Sequence, residues 1–184
     1  VSAKLREKHP NLSIEIYSES TRAIARRLND FSLDAGILYF KDGDPETTEK
    51  LYEERYVFIA PNSLTILKEK QITWEEVAQF PLCLLTQNMR NRQLIDQQFL
   101  ELGISPKIVT EASDFTGVLA QVALGNAATI APVSVAETFL DLKSTVHLDL
   151  THPVMIHSVG LSIKDQSPVL PIIKALRQAV KAAL

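Results

Sequence analysis

The sequence predicts an α/β protein divided into two lobes. Apolar runs of strand length alternate with segments of helical periodicity, which implies layered helices on a largely parallel sheet. A capping box, Thr73-Trp74-Glu75-Glu76, opens a new unit partway along the chain. The 184 residues are 46 % apolar and 22 % charged, enough to bury a substantial core, which excludes disordered and collagen-like classes.

Residues 1–9 carry Val1, Ala3 and Leu5 among polar neighbours and stop at Pro10, so they form the tail of a helix. Leu12, Ile14 and Ile16 alternate with polar residues and predict a strand, whose trailing loop places Ser20 to cap a helix over 21–30. The run 33–40 is a strand containing Asp34; a polar loop over 41–50 and a second strand over 55–60 follow. After the capping box come a strand over 81–85, a helix over 91–102 ended by Gly103, a strand over 108–111, and a helix over 115–124 ended by Gly125. Ala127 to Ala131 is a strand before Pro132, 134–140 a helix, and 146–148 and 159–163 further strands. Ser167-Pro168 opens the last helix, with Ile173, Leu176 and Val180 at helical spacing.

Nineteen basic residues against 22 acidic ones leave a formal charge of −3, so no basic surface suited to a nucleic-acid backbone is implied. The single cysteine, Cys83, lies in an apolar run and reads as a buried, inert thiol, which favours a reducing compartment such as the cytoplasm. No stretch reaches the ~18 apolar residues of a membrane span. The start of the chain has the charged pattern of a helix rather than of a signal peptide.

No nucleophile elbow, zinc-protease motif, paired-cysteine motif or glycine-rich phosphate loop is present. The four histidines offer no metal-ligand pairing beyond His152 and His157, so no metal, cofactor or catalytic set is expected. Asp34 reads as a strand-end aspartate rather than a catalytic carboxylate. More informative are three strand ends that lead through polar loops into helices: 18–21, 86–92 and 113–116. Ligands settle outside the carboxyl ends of strands in open α/β sheets, and helix N-termini there favour negative charge. Ser20, Thr21, Thr86, Ser113 and Phe115 are therefore candidate contacts for an anion, with Arg90 and Arg92 adding donors and Asp114 opposing. Helix capping alone accounts for any one of these loops; their convergence would make a site.

His9-Pro10-Asn11-Leu12 with Ile14, Glu15 and Ile16, and Leu28 with Leu33-Asp34-Ala35-Gly36-Ile37, resemble the effector-binding domain of LysR-type transcriptional regulators. So do Thr73-Trp74-Glu75-Glu76 ahead of Phe80-Pro81-Leu82, the stretch 96–103 with Pro106, and 122–132. The order of these weak motifs holds from Val1 to Leu184. Phe31 stands where the family usually has glycine, and Ala127 replaces the second glycine of a G-x-G turn, changes expected to alter the backbone only locally.

The resemblance implies a fold like type 2 periplasmic binding proteins: two α/β lobes joined by two crossover strands. Residues 1–73 and 160–184 would form regulatory lobe I and 74–159 lobe II, with a small-molecule effector in the cleft. Thr21 and Ser113 match pocket positions of the family, and 86–92 lies on a segment lining the cleft. The family's winged helix-turn-helix, which reads DNA, and its opening strand with a Ser/Thr loop would lie before Val1. Homodimers would pair the helix over 1–9 with that over 91–102 in antiparallel fashion, and the intact regulator would be a tetramer on DNA. A transport receptor of the same fold is the alternative; it requires export.

Overall fold

The computed structural model of the chain describes residues 1–40, 49–63, 70–138, 144–163 and 171–183. Two compact units emerge: Val1–Glu53 with Ser158–Leu184, and Glu54–His157. The sequence reading placed these divisions at 73/74 and 159/160. The first falls earlier because the capping box at Thr73 starts a helix and not a unit; the chain changes units inside a strand, β2 (Glu49–Pro61), and returns inside another, β8 (Ile156–Ser162).

In the first unit, α1 (Ser2–Lys8) buries Leu5 and lies against α7 (Pro171–Lys181). Strand β1 (Gly36–Tyr39) runs antiparallel to β8, with Gly36 opposite Ser162 and Tyr39 opposite Val159. Leu161, Ile163 and Ile173 form the core of this unit. Helix α2 (Thr21–Asn29) crosses β1 so closely that a Cβ on Gly36 would come within 2.6 Å of Ile24 Cγ2. The helix start at Ser167-Pro168 lies outside the described residues, as do most of the 41–50 loop and the end of the 134–140 helix.

The strand expected at Leu12, Ile14 and Ile16 is not formed, and Ile16 is 81 % exposed. Alternation of side chains sorts faces, but a strand also needs a neighbouring backbone to bond. Among the described residues none pairs with this segment.

Phe31 keeps the glycine geometry that the sequence reading expected to change. It sits at φ 61, one residue beyond the C-cap Asp30 of α2. Phe31 N–H donates to Leu28 O and Ser32 N–H to Arg27 O, the paired bonds that close a helix through a left-handed residue. The same closure occurs at Gly103 (φ 68) and Gly125 (φ 80) after the two central helices. A side chain in this region costs about 1–2 kcal/mol. Phe31 is 58 % exposed, so more than half of its side chain stays in water. Phe31→Gly is therefore expected to stabilise the protein by about 0.5–1 kcal/mol net of glycine's unfolded-chain entropy, raising the thermal midpoint by about 2–3 °C. An unchanged or lower midpoint in a thermal melt would contradict it.

The second unit is a mixed sheet rather than the largely parallel one expected. β2 is antiparallel to β6 (Thr129–Pro132) on one side and to β7 (Thr145–Thr151) on the other, and β3 (Gln71–Thr73) adds in parallel to β7. β4 (Pro81–Leu85) and β5 (Lys107–Ala112) are parallel, and a Leu82–Ala128 bridge joins them to the start of β6. Residues Tyr56 to Pro61 of β2 are all buried, so that strand is covered on both faces. Helix α3 (Trp74–Val77) begins at the capping box, with Glu76 N–H donating to Thr73 Oγ1 and Thr73 N–H to Glu76 carboxylate. Helices α4 (Arg90–Glu101), α5 (Phe115–Ala123) and α6 (Val133–Thr138) complete the unit. Cys83, Leu85, Val118 and Ala127 form one core cluster. Ala127 fills the glycine position as a core residue, at 3 % exposure.

Candidate functional site

Parallel β4 and β5 end together, Leu85 opposite Ala112, and Thr86 N–H extends the ladder to Ala112 O. The chain therefore leaves both strands at the same edge, through 86–89 into α4 and through 113–114 into α5. Two of the three loops singled out in the sequence are thereby brought side by side, Thr86 beside Ser113. The third, with Ser20 and Thr21, belongs to the other unit.

The two helix starts differ in charge. Asp114 caps α5, its Oδ1 accepting from Gly117 N–H at 2.9 Å, while Ser113 Oγ donates a long 3.4 Å bond to its other oxygen. A carboxylate already complements the positive end of this helix. At α4 the N-cap is Met89, no side-chain bond caps it among the described residues, and its first turn holds no acid. Arg90 is exposed there as the first helical residue. An anion at this edge is therefore favoured over α4 and opposed over α5.

Arg92 has to be corrected. It is 4 % exposed and turned into the protein: Nε donates to both oxygens of Asp96, at 2.7 and 2.9 Å, and Nη1 to Leu85 O and to Glu111. Two residues past the start of α4 the side chain faces β4 and β5, so its donors tie the helix to the strands. Phe115 is half-buried and packs between the cluster around Val57 and the cluster around Cys83, which makes it a core wedge. In the first unit Ser20 Oγ accepts from Ala23 N–H at 3.3 Å, a helix cap, and Thr21 follows as the first residue of α2. Asp34 is exposed just ahead of β1.

Three residues of the second unit meet near α4: Tyr56 and Asn91, which sequence reasoning passed over, and His157, which it weighed only as a metal ligand. Tyr56 is fully buried on β2, and its hydroxyl donates to Asn91 Oδ1 at 2.6 Å. The His157 ring stands perpendicular to the Tyr56 ring, centroids 6.0 Å apart. Burial, and secondarily the positive charge of Arg90, hold the His157 pKa below its ordinary value. The folded protein thus binds this proton less tightly than the unfolded chain. Its stability contribution is complete above the unfolded pKa of ~6.5 and is lost as pH falls through that value toward the lower folded one. His157→Gln is expected to flatten the fall in melting temperature between about pH 7.5 and 5.5; identical profiles for both proteins would contradict this.

Among the described residues no group of three or more His, Cys, Asp and Glu could hold a metal ion, and no helix is long and apolar enough to cross a membrane. Cys83 is wholly buried, and burial pushes its thiol pKa up, the opposite of an activated nucleophile.

The model of the LysR substrate binding domain matches residues 1–184, and the chain belongs to this family. Curated relatives include a probable RuBisCO transcriptional regulator of Trieres chinensis, 26 % identical over 155 residues (78 % of this chain, 50 % of the relative). Another is the transcriptional regulator BenM of Acinetobacter baylyi, 22 % identical over 165 residues (87 % of this chain, 54 % of the relative). The chain thus spans about half the length of these relatives. Among solved structures, the cofactor-binding domain of the Cbl transcriptional regulator superposes with a TM-score of 0.81 at 22 % identity, covering 100 % of this chain and 81 % of that one. The effector-binding domain of QuiR in complex with shikimate gives 0.78 at 19 % identity, covering 99 % and 87 %. The fold is that of LysR effector-binding domains, which are type 2 periplasmic-binding-protein-like.

Proposed function

We propose that this chain is the ligand-sensing part of a bacterial LysR-type transcriptional regulator, and that it binds a small anionic metabolite to modulate transcription. The observation that carries the reading is the family match over the whole chain. Relatives that are transcriptional regulators favour it over a transport receptor and over an enzyme. Two of the structural neighbours hold shikimate and benzoate, both carboxylates. The uncapped start of α4 beside Arg90 supplies the matching charge. Thr86, Arg90 and Ser113 of the second unit are the proposed contacts. DNA would be read by a winged helix-turn-helix elsewhere in the regulator, in the cytoplasm. Subunits would pair α1 with α4 in antiparallel fashion, a reading supported by Leu100, 79 % exposed on α4.

Binding to the folded form stabilises it by RT ln(1 + [L]/Kd), about 2.7 kcal/mol at a hundredfold excess over Kd. Thermal melts of the chain against a panel of carboxylates, sulfonates and sulfate are expected to show at least one shift of about 5 °C or more. No shift across the panel would overturn the reading.

A further inference from the structure

We propose that Asn91 is a specificity-determining contact for the oxyanion of the effector and that Tyr56 is its positioning residue, an inference that rests on the ligand-sensing reading above. The two lie 35 residues apart in sequence, and their 2.6 Å bond crosses from β2 to the first turn of α4. Tyr56 has no exposure, so its ring is fixed by packing, with the perpendicular His157 ring on one side. A phenol held this way presents its O–H in one place.

The chemistry then follows from which end of the carboxamide is used. Tyr56 donates, so the amide oxygen of Asn91 is its acceptor and the Nδ2 hydrogens are left over. Among the described residues nothing accepts from Nδ2. Asn91 is half-buried, Arg90 precedes it with an exposed guanidinium, and no acid stands in that turn. Fixing the oxygen inward leaves a donor-only surface, which favours a carboxylate, sulfonate or sulfate oxygen over the weaker carbonyl acceptor of a neutral primary amide and, beside Arg90, repels a cationic ammonium. Preorganisation adds affinity because the rotamer is already chosen before the ligand arrives.

Asn91→Asp separates recognition from folding. The aspartate still accepts from Tyr56 O–H, so the internal bond survives, while the donors are replaced by a negative charge. Tyr56→Phe keeps the ring and removes the bond. The chain and both variants are titrated with benzoate, shikimate and sulfate, following melting temperature and binding heat, with benzamide as the neutral comparison. For the anion that stabilises the wild type, the expected result is at least a hundredfold loss of affinity in Asn91→Asp and about a tenfold loss in Tyr56→Phe. The unliganded melting temperature of Asn91→Asp should stay within about 2 °C of the wild type. Should Tyr56→Phe melt much lower, Asn91→Asp alone decides. Equal affinity in the wild type and Asn91→Asp, or equal binding of benzamide and benzoate, overturns this inference and leaves the ligand-sensing reading standing. A wild type that responds to none of the three anions while another panel member stabilises it also overturns it. No response to any panel member overturns both.

Discussion

Replacing Trp74 by alanine is expected to destabilise the protein by about 4 kcal/mol, the middle of the range for loss of a buried aromatic. Trp74 is the first residue of α3 and has no solvent exposure. Its ring meets Phe99 of α4 edge to face, centroids 5.0 Å apart at 87°, a geometry worth about 0.5–1.5 kcal/mol beyond burial. Its Nε1–H donates to Pro153 O at 2.9 Å, 79 residues away, which ties α3 to the turn after β7. Alanine removes the ring contact, the volume and the bond together. The thermal midpoint is expected to drop by about 10 °C. Trp74→Phe keeps most of the volume and should lose less than half of that, because Pro153 lies at the surface and its carbonyl can turn to water. A loss below about 2 kcal/mol for the alanine variant in denaturant unfolding would contradict the assignment of Trp74 to the central packing of this unit.

The second large effect is expected at Arg92. Its guanidinium joins three elements at once: Asp96 one turn along α4, Leu85 O at the end of β4, and Glu111 on β5. Bonds to charged partners are worth about 1.5–3 kcal/mol, and removing one partner costs more than the pair is worth when the rest stay buried. Here the carboxylates of Asp96 and Glu111 are 41 % and 38 % exposed, so water takes over part of the loss. Arg92→Ala is therefore expected to cost about 2–3 kcal/mol. Arg92→Lys should recover less than half of it, because a single ammonium cannot span a carboxylate fork and a backbone carbonyl in fixed directions. Full recovery by lysine would show that only the charge matters there.

Much of this fold was legible because its signals are local. The capping box at Thr73 and Glu76 needs four consecutive residues, and both of its bonds are present. Gly103 and Gly125 end α4 and α5 as read, because each closure spans a few residues and demands a left-handed position. Pro81 to Leu85 was legible as an apolar run that opens on a proline and ends at the polar Thr86, and it is β4 with those bounds. At α2 the glycine is missing, yet the left-handed turn persists at Phe31, and Arg27 side-chain bonds to Ser32 brace it.

The failures share a cause as well. β3 is three residues with one buried side chain, and nothing in Gln71-Ile72-Thr73 marks it; β7 makes it a strand by pairing with it. Leu12, Ile14 and Ile16 carry the alternation and lack a partner. Arg90 and Arg92 stand two residues apart and look equivalent in sequence, but a rotation of about 200° along a helix sends one to solvent and the other against two strands.

The sequence by itself determined the alternation of helices and strands, the family and the polar loops that open α4 and α5, because caps, turns and apolar periodicity depend on neighbours within one or two helical turns. Only the tertiary structure decided that Thr86 and Ser113 stand at one sheet edge, that Arg92 holds the framework, and that Tyr56 reaches Asn91 across 35 residues of chain. Those choices rest on contacts between distant segments, whose pairing is set by the packing of the whole unit and leaves no periodic trace in the residues that make them.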